Sequence, residues 1–159
     1  TYCPGLTNGT TSTTAKAYTV DMLYEQKFGD WVPNFQAAWL DQKDLPGGAS
    51  NNVEAQGWYA QTQILYDRMV GIGKPALVLR YEEDENKNYY TYPNTTNYVN
   101  AKIRAYDIFF NYYISGLAAN ISLGAQVVDP NSDLKNATTN NGNQLKSFTD
   151  WTLALRTIF

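Results

Sequence analysis

Asp129-Pro130-Asn131-Ser132-Asp133 carries oxygen-bearing side chains at alternate positions. Calcium loops use that spacing to bring several ligands onto one hard cation. The pattern then breaks, because Leu134 stands where such a loop needs its turn glycine and Asn140 where it needs a bidentate glutamate. No cofactor is therefore expected, with Ca2+ at Asp129, Asn131 and Asp133 the one metal candidate. Four tripeptides have the form that accepts an N-linked glycan: Asn8-Gly-Thr, Asn94-Thr-Thr, Asn120-Ile-Ser and Asn136-Ala-Thr. Three of them fall in stretches that read as loops, where a glycan is easily carried. Cys3 is the only thiol. In a secreted chain an odd cysteine suggests a bond to another molecule, and its plain alternative is a small buried apolar residue.

Histidine is absent, which removes Ser-His-Asp and Cys-His nucleophiles and His-ligated zinc. A single cysteine removes any disulfide within the monomer. The one enzyme class left open is a glycoside hydrolase working through two carboxylates. Glu25, Glu54, Asp67, Asp107 and Asp150 fall on expected helices, and Asp107 follows Tyr106 on an aromatic stripe. Nothing in their spacing makes two of them converge, so no enzyme is expected. Glu82, Glu83, Asp84 and Glu85 read as a solvated turn, since consecutive acids repel and need water. No phosphate-binding glycine loop or nucleophile elbow is present. The net charge of −3 also disfavours nucleic acid, whose binding is built on neutralising phosphates.

The 159 residues suit one domain. Charged residues make up 17%, well below the usual quarter, while aromatic residues reach 14% with 13 tyrosines. That aromatic stock fits a core, a subunit interface, or a sugar site in which rings stack on pyranose faces.

Spacing of apolar residues predicts a mainly α fold: a bundle of four or five helices with one small β-hairpin, α+β being the alternative. Residues 1–16 read as an extended arm and 17–159 as a single globular domain. Val20, Tyr24 and Phe28 line a first helix face, and Phe35, Ala38 and Trp39 a second. Trp58, Leu65 and Ile72 recur every seven residues over 52–71, and Gly71, Gly73 and Pro75 end that run. Val99, Ile103, Tyr106, Phe110, Tyr113 and Leu117 alternate spacings of four and three, the strongest helical period in the chain. Leu145, Phe148, Trp151 or Thr152, Leu155 and Ile158 suggest a closing helix over 144–159. Residues 76–81 and 89–92 read as the hairpin, with the acidic run at its tip. The uncharged stretch 108–128 is long enough for a bilayer, but Asn111, Asn120 and Gln126 are costly in hydrocarbon. It is therefore expected as a buried helix followed by an apolar strand, and no membrane span is expected.

The start at Thr1 suggests a removed signal peptide, and with the sequons it points to an extracellular or cell-surface location. The function expected from these features is a structural, N-glycosylated subunit of an extracellular filament, surface layer or coat. Such a subunit would bind copies of itself through the 1–16 arm. The alternatives are a carbohydrate-binding module or carboxylate glycosidase, and a filamentous viral coat protein.

Overall fold

The computed structural model describes residues 15–45, 53–90, 98–115, 119–136 and 145–157. Seven antiparallel strands run in simple sequence order across a single sheet. They are β1 (Lys16–Glu25), β2 (Trp31–Leu45), β3 (Val53–Tyr66), β4 (Lys74–Tyr90), β5 (Tyr98–Ser115), β6 (Ala119–Pro130) and β7 (Phe148–Thr157). One short helix, α1 (Ser132–Asn136), follows β6. β1 and β7 are the two edges, and neither pairs with the other.

The helical bundle is thus overturned: five segments expected as helices are strands. The physical reason lies in two superposed periods. On β5, Tyr106, Ile108, Phe110 and Tyr112 alternate strictly and share one face, while Ile103, Phe109 and Tyr113 occupy the other. Taking residues from both faces in turn yields a false seam of spacings three and four. Likewise Trp58 and Leu65 lie on opposite faces of β3, and Ile72 sits in the turn beyond it. The wealth of Tyr, Val, Ile, Thr and Trp favours the pleated backbone once long-range pairing is available.

The expected 76–81 and 89–92 hairpin is also corrected, since β4 runs unbroken from Lys74 to Tyr90. Its acidic run is held extended by cross-strand charge pairs. Glu83 faces Arg104, Glu85 faces Lys102, and Lys87 faces Glu54. Opposite charges directly across a ladder stabilise it, whereas the same acids in an isolated turn would only repel.

Two tight turns close the sheet at one end. Phe28 and Trp31 exchange backbone hydrogen bonds of 2.8 and 3.0 Å around Gly29-Asp30, and Val70 and Gly73 bracket Gly71-Ile72 in the same way. Gly29 (φ 61°) and Gly71 (φ 67°) take the left-handed conformation that a two-residue hairpin needs at its first central position. Asp67 binds the two turns together. Its backbone N–H donates to the Asp30 carbonyl (2.7 Å), and its carboxylate accepts from Lys27 and from Lys74 (2.5 Å).

The described residues form no conventional core. Among the described residues the buried apolar side chains are Ala76, Val78, Ala101, Ala105, Ala125 and Leu134, and no large side chain is fully buried. Among the described residues nothing covers the apolar side of the sheet, so these residues by themselves gain little from apolar burial, the main source of stability for a domain in water.

Candidate functional site

Register pairing sorts the side chains into two unlike faces, because residues directly opposite each other point the same way. The face that holds Trp39 is apolar. It gathers Val20 and Met22 from β1, Phe35 from β2, Ile64 from β3, Leu77 and Leu79 from β4, Ile108 and Phe110 from β5, Ile121 and Leu123 from β6, and Leu153 and Leu155 from β7. Every one of these is exposed, Leu123 at 54% and Leu153 at 77%. On the central strands several side chains between them are more sheltered: Val78, Ala105 and Gly124 are buried, and Asp107 and Gln126 half-buried. A soluble sheet has the reverse arrangement, with apolar side in and polar side out.

Aromatic rows bound the apolar face above and below. Tyr18, Trp39, Trp58, Tyr81, Tyr106 and Trp151 mark one boundary on six strands. Along it the ring centroids of Trp58 and Tyr81 are 4.9 Å apart, and those of Tyr81 and Tyr106 5.0 Å. Tyr24, Trp31, Tyr66 and Tyr112 mark the other boundary, where Trp31 and Tyr66 approach to 4.8 Å. From Trp31 to Trp39 is eight residues of strand, about 26 Å at 3.3 Å each. Across the six strand spacings, a width of about 29 Å, the apolar face covers roughly 750 Å². The largest patch on a typical soluble monomer is about 300–600 Å².

The band also slants. Tyr18 lies opposite Asp41 of β2, whereas the register row of Trp151 meets β2 at Phe35, six residues lower. That is about 20 Å of drop over about 29 Å of width, a slope of roughly 35°. Strands closed into a barrel tilt from its axis by a similar angle.

Charges on the apolar face stay outside the band, among the described residues. Beyond the Trp39 row, Arg104 meets Glu83 at 2.9 Å, Lys102 meets Glu83 at 3.1 Å and Glu85 at 3.4 Å, and Lys43 meets Asp41 at 3.5 Å. Beyond the Trp31 row lie the tight turns, with Lys27, Arg68 and Lys74 on Asp30 and Asp67. The hydrogen bonds from Lys27 and Lys74 hold the Asp67 carboxyl down at about 2, from an ordinary 3.8.

The opposite face is polar at mid-height. One register row crosses six strands as Gln36, Gln61, Arg80, Asp107, Gln126 and Asp150. Asp21, Glu25, Asn34, Tyr59, Gln63, Glu82 and Asp84 flank it. The Arg80 guanidinium bonds Glu82 and lies 4.8 Å from the centre of the Tyr59 ring. Arg80 Nε and Asp107 Oδ1, on directly opposed residues, are buried without a hydrogen-bond partner. Two glycines serve close approach here. A Cβ on Gly124 would meet the Phe109 ring at 2.2 Å and the Ile108 carbonyl at 2.5 Å, and one on Gly57 would meet the Asp84 carboxylate at 2.2 Å.

The residues singled out from sequence fall elsewhere. Asp129 closes β6 with its carboxylate on Lys135 (2.6 Å) and Ser147 (2.5 Å). Asn131 caps α1, accepting from the Leu134 backbone N–H (3.1 Å), while its amide donates to the Asn100 carbonyl (2.7 Å). Asp133 is exposed on α1. The three candidate calcium ligands are thus not gathered, and no group of three or more acids or thiols stands ready for a metal among the described residues. Asn120 lies within β6 opposite Tyr113 and Arg156, and Asn136 ends α1. Cys3, Asn8 and Asn94 lie outside the described residues, as does all of the 1–16 arm except its last two residues. Of the five carboxylates considered for hydrolysis, Glu25, Asp107 and Asp150 share the polar face, Glu54 lies on the other, and Asp67 is in a turn.

Sequence reasoning missed the aromatic rows. Their trace was the spacing of two in Val20-Met22-Tyr24 and Trp151-Leu153-Leu155, and of four in Trp31-Phe35-Trp39. Among the described residues no helix is long and apolar enough to cross a membrane, a statement that does not bear on strands. No family model, curated protein or solved structure matches the chain.

Proposed function

We propose that this sheet is a sector of the wall of a membrane-spanning β-barrel, its apolar face against lipid and its polar face lining a water-filled passage. The observation that carries the reading is the exposed apolar band between two aromatic rows, about 26 Å along the strand and about 22 Å deep once the slope is taken out. Outer-membrane barrels carry an outward apolar band of about 25 Å with aromatic girdles at both interfaces and a polar interior. Lipid gives the exposed leucines and isoleucines the apolar surroundings that the chain itself does not supply. The amphipathic Trp and Tyr rings suit the headgroup level.

The same reading accounts for the slant of the band and for the asymmetry of its ends. Tight glycine turns close one end, and at the other β4 and β5 run several residues past the tyrosines into paired charges. It also gives β1 and β7 a role, since an open edge in hydrocarbon leaves backbone groups unsatisfied and a barrel must continue from both.

Depth-resolved fluorescence quenching tests the proposal. With the full-length protein folded into vesicles of brominated phosphatidylcholine, Trp31, Trp39, Trp58 and Trp151 are expected to quench most with bromines near the headgroups. A protein that stays monomeric and folded without detergent, with these tryptophans open to iodide and untouched by brominated lipid, defeats it.

One observation favours a second reading, the extracellular self-assembly expected from sequence. Among the described residues the ten-residue strands β1 and β7 have no partner on their outer edges, and β1 of one copy adding to β7 of the next would give a heterologous, filament-forming contact. Detergent-free polymerisation that buries both edges would support it.

A further inference from the structure

We propose that the polar face makes the passage prefer small hydrated cations over anions, an inference that rests on the barrel reading above. Over its height this face carries six acids, Asp21, Glu25, Glu82, Asp84, Asp107 and Asp150, against three cations, Arg80, Lys74 and Arg156, among the described residues. Asp21, Asp107 and Arg80 lie between the aromatic rows, Glu82, Asp84 and Asp150 just past the Trp39 row, and Glu25 just past Tyr24. The arrangement differs in kind from the charges on the other face. There, beyond the aromatic row, lysines and arginines pair with acids and the signs balance. On the polar face only Glu82 has a cation within ion-pair distance, among the described residues. That cation is Arg80, already turned onto Glu82 and Tyr59. None of the five other carboxylates has a cation within ion-pair distance among the described residues, and there Asp107 has a buried Oδ1 with no donor.

Geometry turns this excess into a gradient of preference. Asp107 and Asp150 share one row with Gln126 between them, and Asp21 and Glu82 share the next row up. Because the band slants across these rows, Glu82, Asp84, Asp107 and Asp150 follow the aromatic row at the end away from the tight turns, and Asp21 lies midway between Tyr18 and Tyr24 on β1. Lys74 and Arg156 stand on the same face only at the tight-turn end. A water-filled conduit with low-dielectric walls focuses such a field, raising the local concentration of counter-ions and lowering that of co-ions. The amides of Gln36, Gln61 and Gln126 in the same row can orient water without adding charge. The preference is a property of the face as a whole, with no single ion held tightly.

At about 8 Å in water and 0.1 M salt, each net charge changes the cation-to-anion ratio by a factor of about two. The experiment is single-channel recording from the full-length protein in planar phosphatidylcholine bilayers under a tenfold KCl gradient. A reversal potential favouring K+ is expected, and Asp150→Asn on the exposed edge strand should cut the permeability ratio about twofold. Asp107→Asn should do the same, and Arg80→Gln should raise the ratio. Open channels with a ratio at or below one, or a ratio that Asp150→Asn and Asp107→Asn leave unmoved, overturn the proposal. So does a barrel that inserts and passes no ions. Failure of the wild-type protein to insert at all defeats the barrel reading itself, and the two failures are distinguished by protease protection in the same vesicles.

Discussion

Leu123→Arg separates a lipid-facing wall from a sheet that lives in water. Leu123 lies midway along the apolar stretch of β6, four residues from Ala119 and four from Val127. That is about 13 Å of strand each way, or about 11 Å of depth once the slope of roughly 35° is taken out. The side chain thus sits near the middle of the band, between Phe110 and Leu153. If water covers this face, Leu123 is already 54% exposed, and adding a charge there should change stability by no more than about 0.5 kcal/mol. If lipid covers it, an arginine at the bilayer midplane costs about 2–4 kcal/mol. Ser122→Arg, one residue away on the polar face, is the matched control and should cost under about 1 kcal/mol. The assay is urea-dependent folding into phosphatidylcholine vesicles followed by tryptophan fluorescence. With a urea slope of about 1–3 kcal/mol per molar, the Leu123→Arg midpoint should fall by about 1 M or more. Equal midpoints for Leu123→Arg and the wild type would refute the reasoning, and so would a larger loss for Ser122→Arg.

Two further outcomes follow from local geometry. Gly124→Val drives a side chain into the Phe109 ring and the Ile108 carbonyl, so a loss of about 1–3 kcal/mol is expected in the same folding assay. Asp67, held at about 2 by Lys27 and Lys74, has a folded value below its ordinary 3.8. Its anchoring contribution is therefore complete above pH 4 and lost as the pH falls through about 2, which an NMR carboxyl titration should follow. Amide exchange at Trp31 and Val70, whose N–H groups close the two turns, should quicken over the same window.

The helical expectation failed for a reason visible in particular residues. β5 carries Ile103, Phe109 and Tyr113 on the polar side as well as Tyr106, Ile108, Phe110 and Tyr112 on the apolar side. With apolar residues on both faces, periods of two and of three and a half fit the same string. The acidic run at 82–85 shows the second source of error. Its partners Lys102 and Arg104 lie some twenty residues on, and only their pairing makes an extended backbone the better place for it. At the calcium-like triplet, tertiary partners absent from the local spacing occupy the side chains: Asn131 caps α1 and Asp129 binds Lys135 and Ser147.

Composition alone removed histidine chemistry, zinc on histidine and internal disulfides, because those need atoms the chain lacks. Local spacing alone marked a break at Gly71, Gly73 and Pro75, because glycine and proline act on the backbone whatever surrounds them. Register belongs to the tertiary structure. It set Trp39 beside Trp58 and Tyr81 beside Tyr106, stacked Gln61, Arg80 and Asp107 in one row, and placed the leucines outward. Hydrophobicity in a sequence says that a side chain avoids water. Whether it does so inside its own fold or against another apolar medium is decided only when the strands are paired and the exposed face is seen.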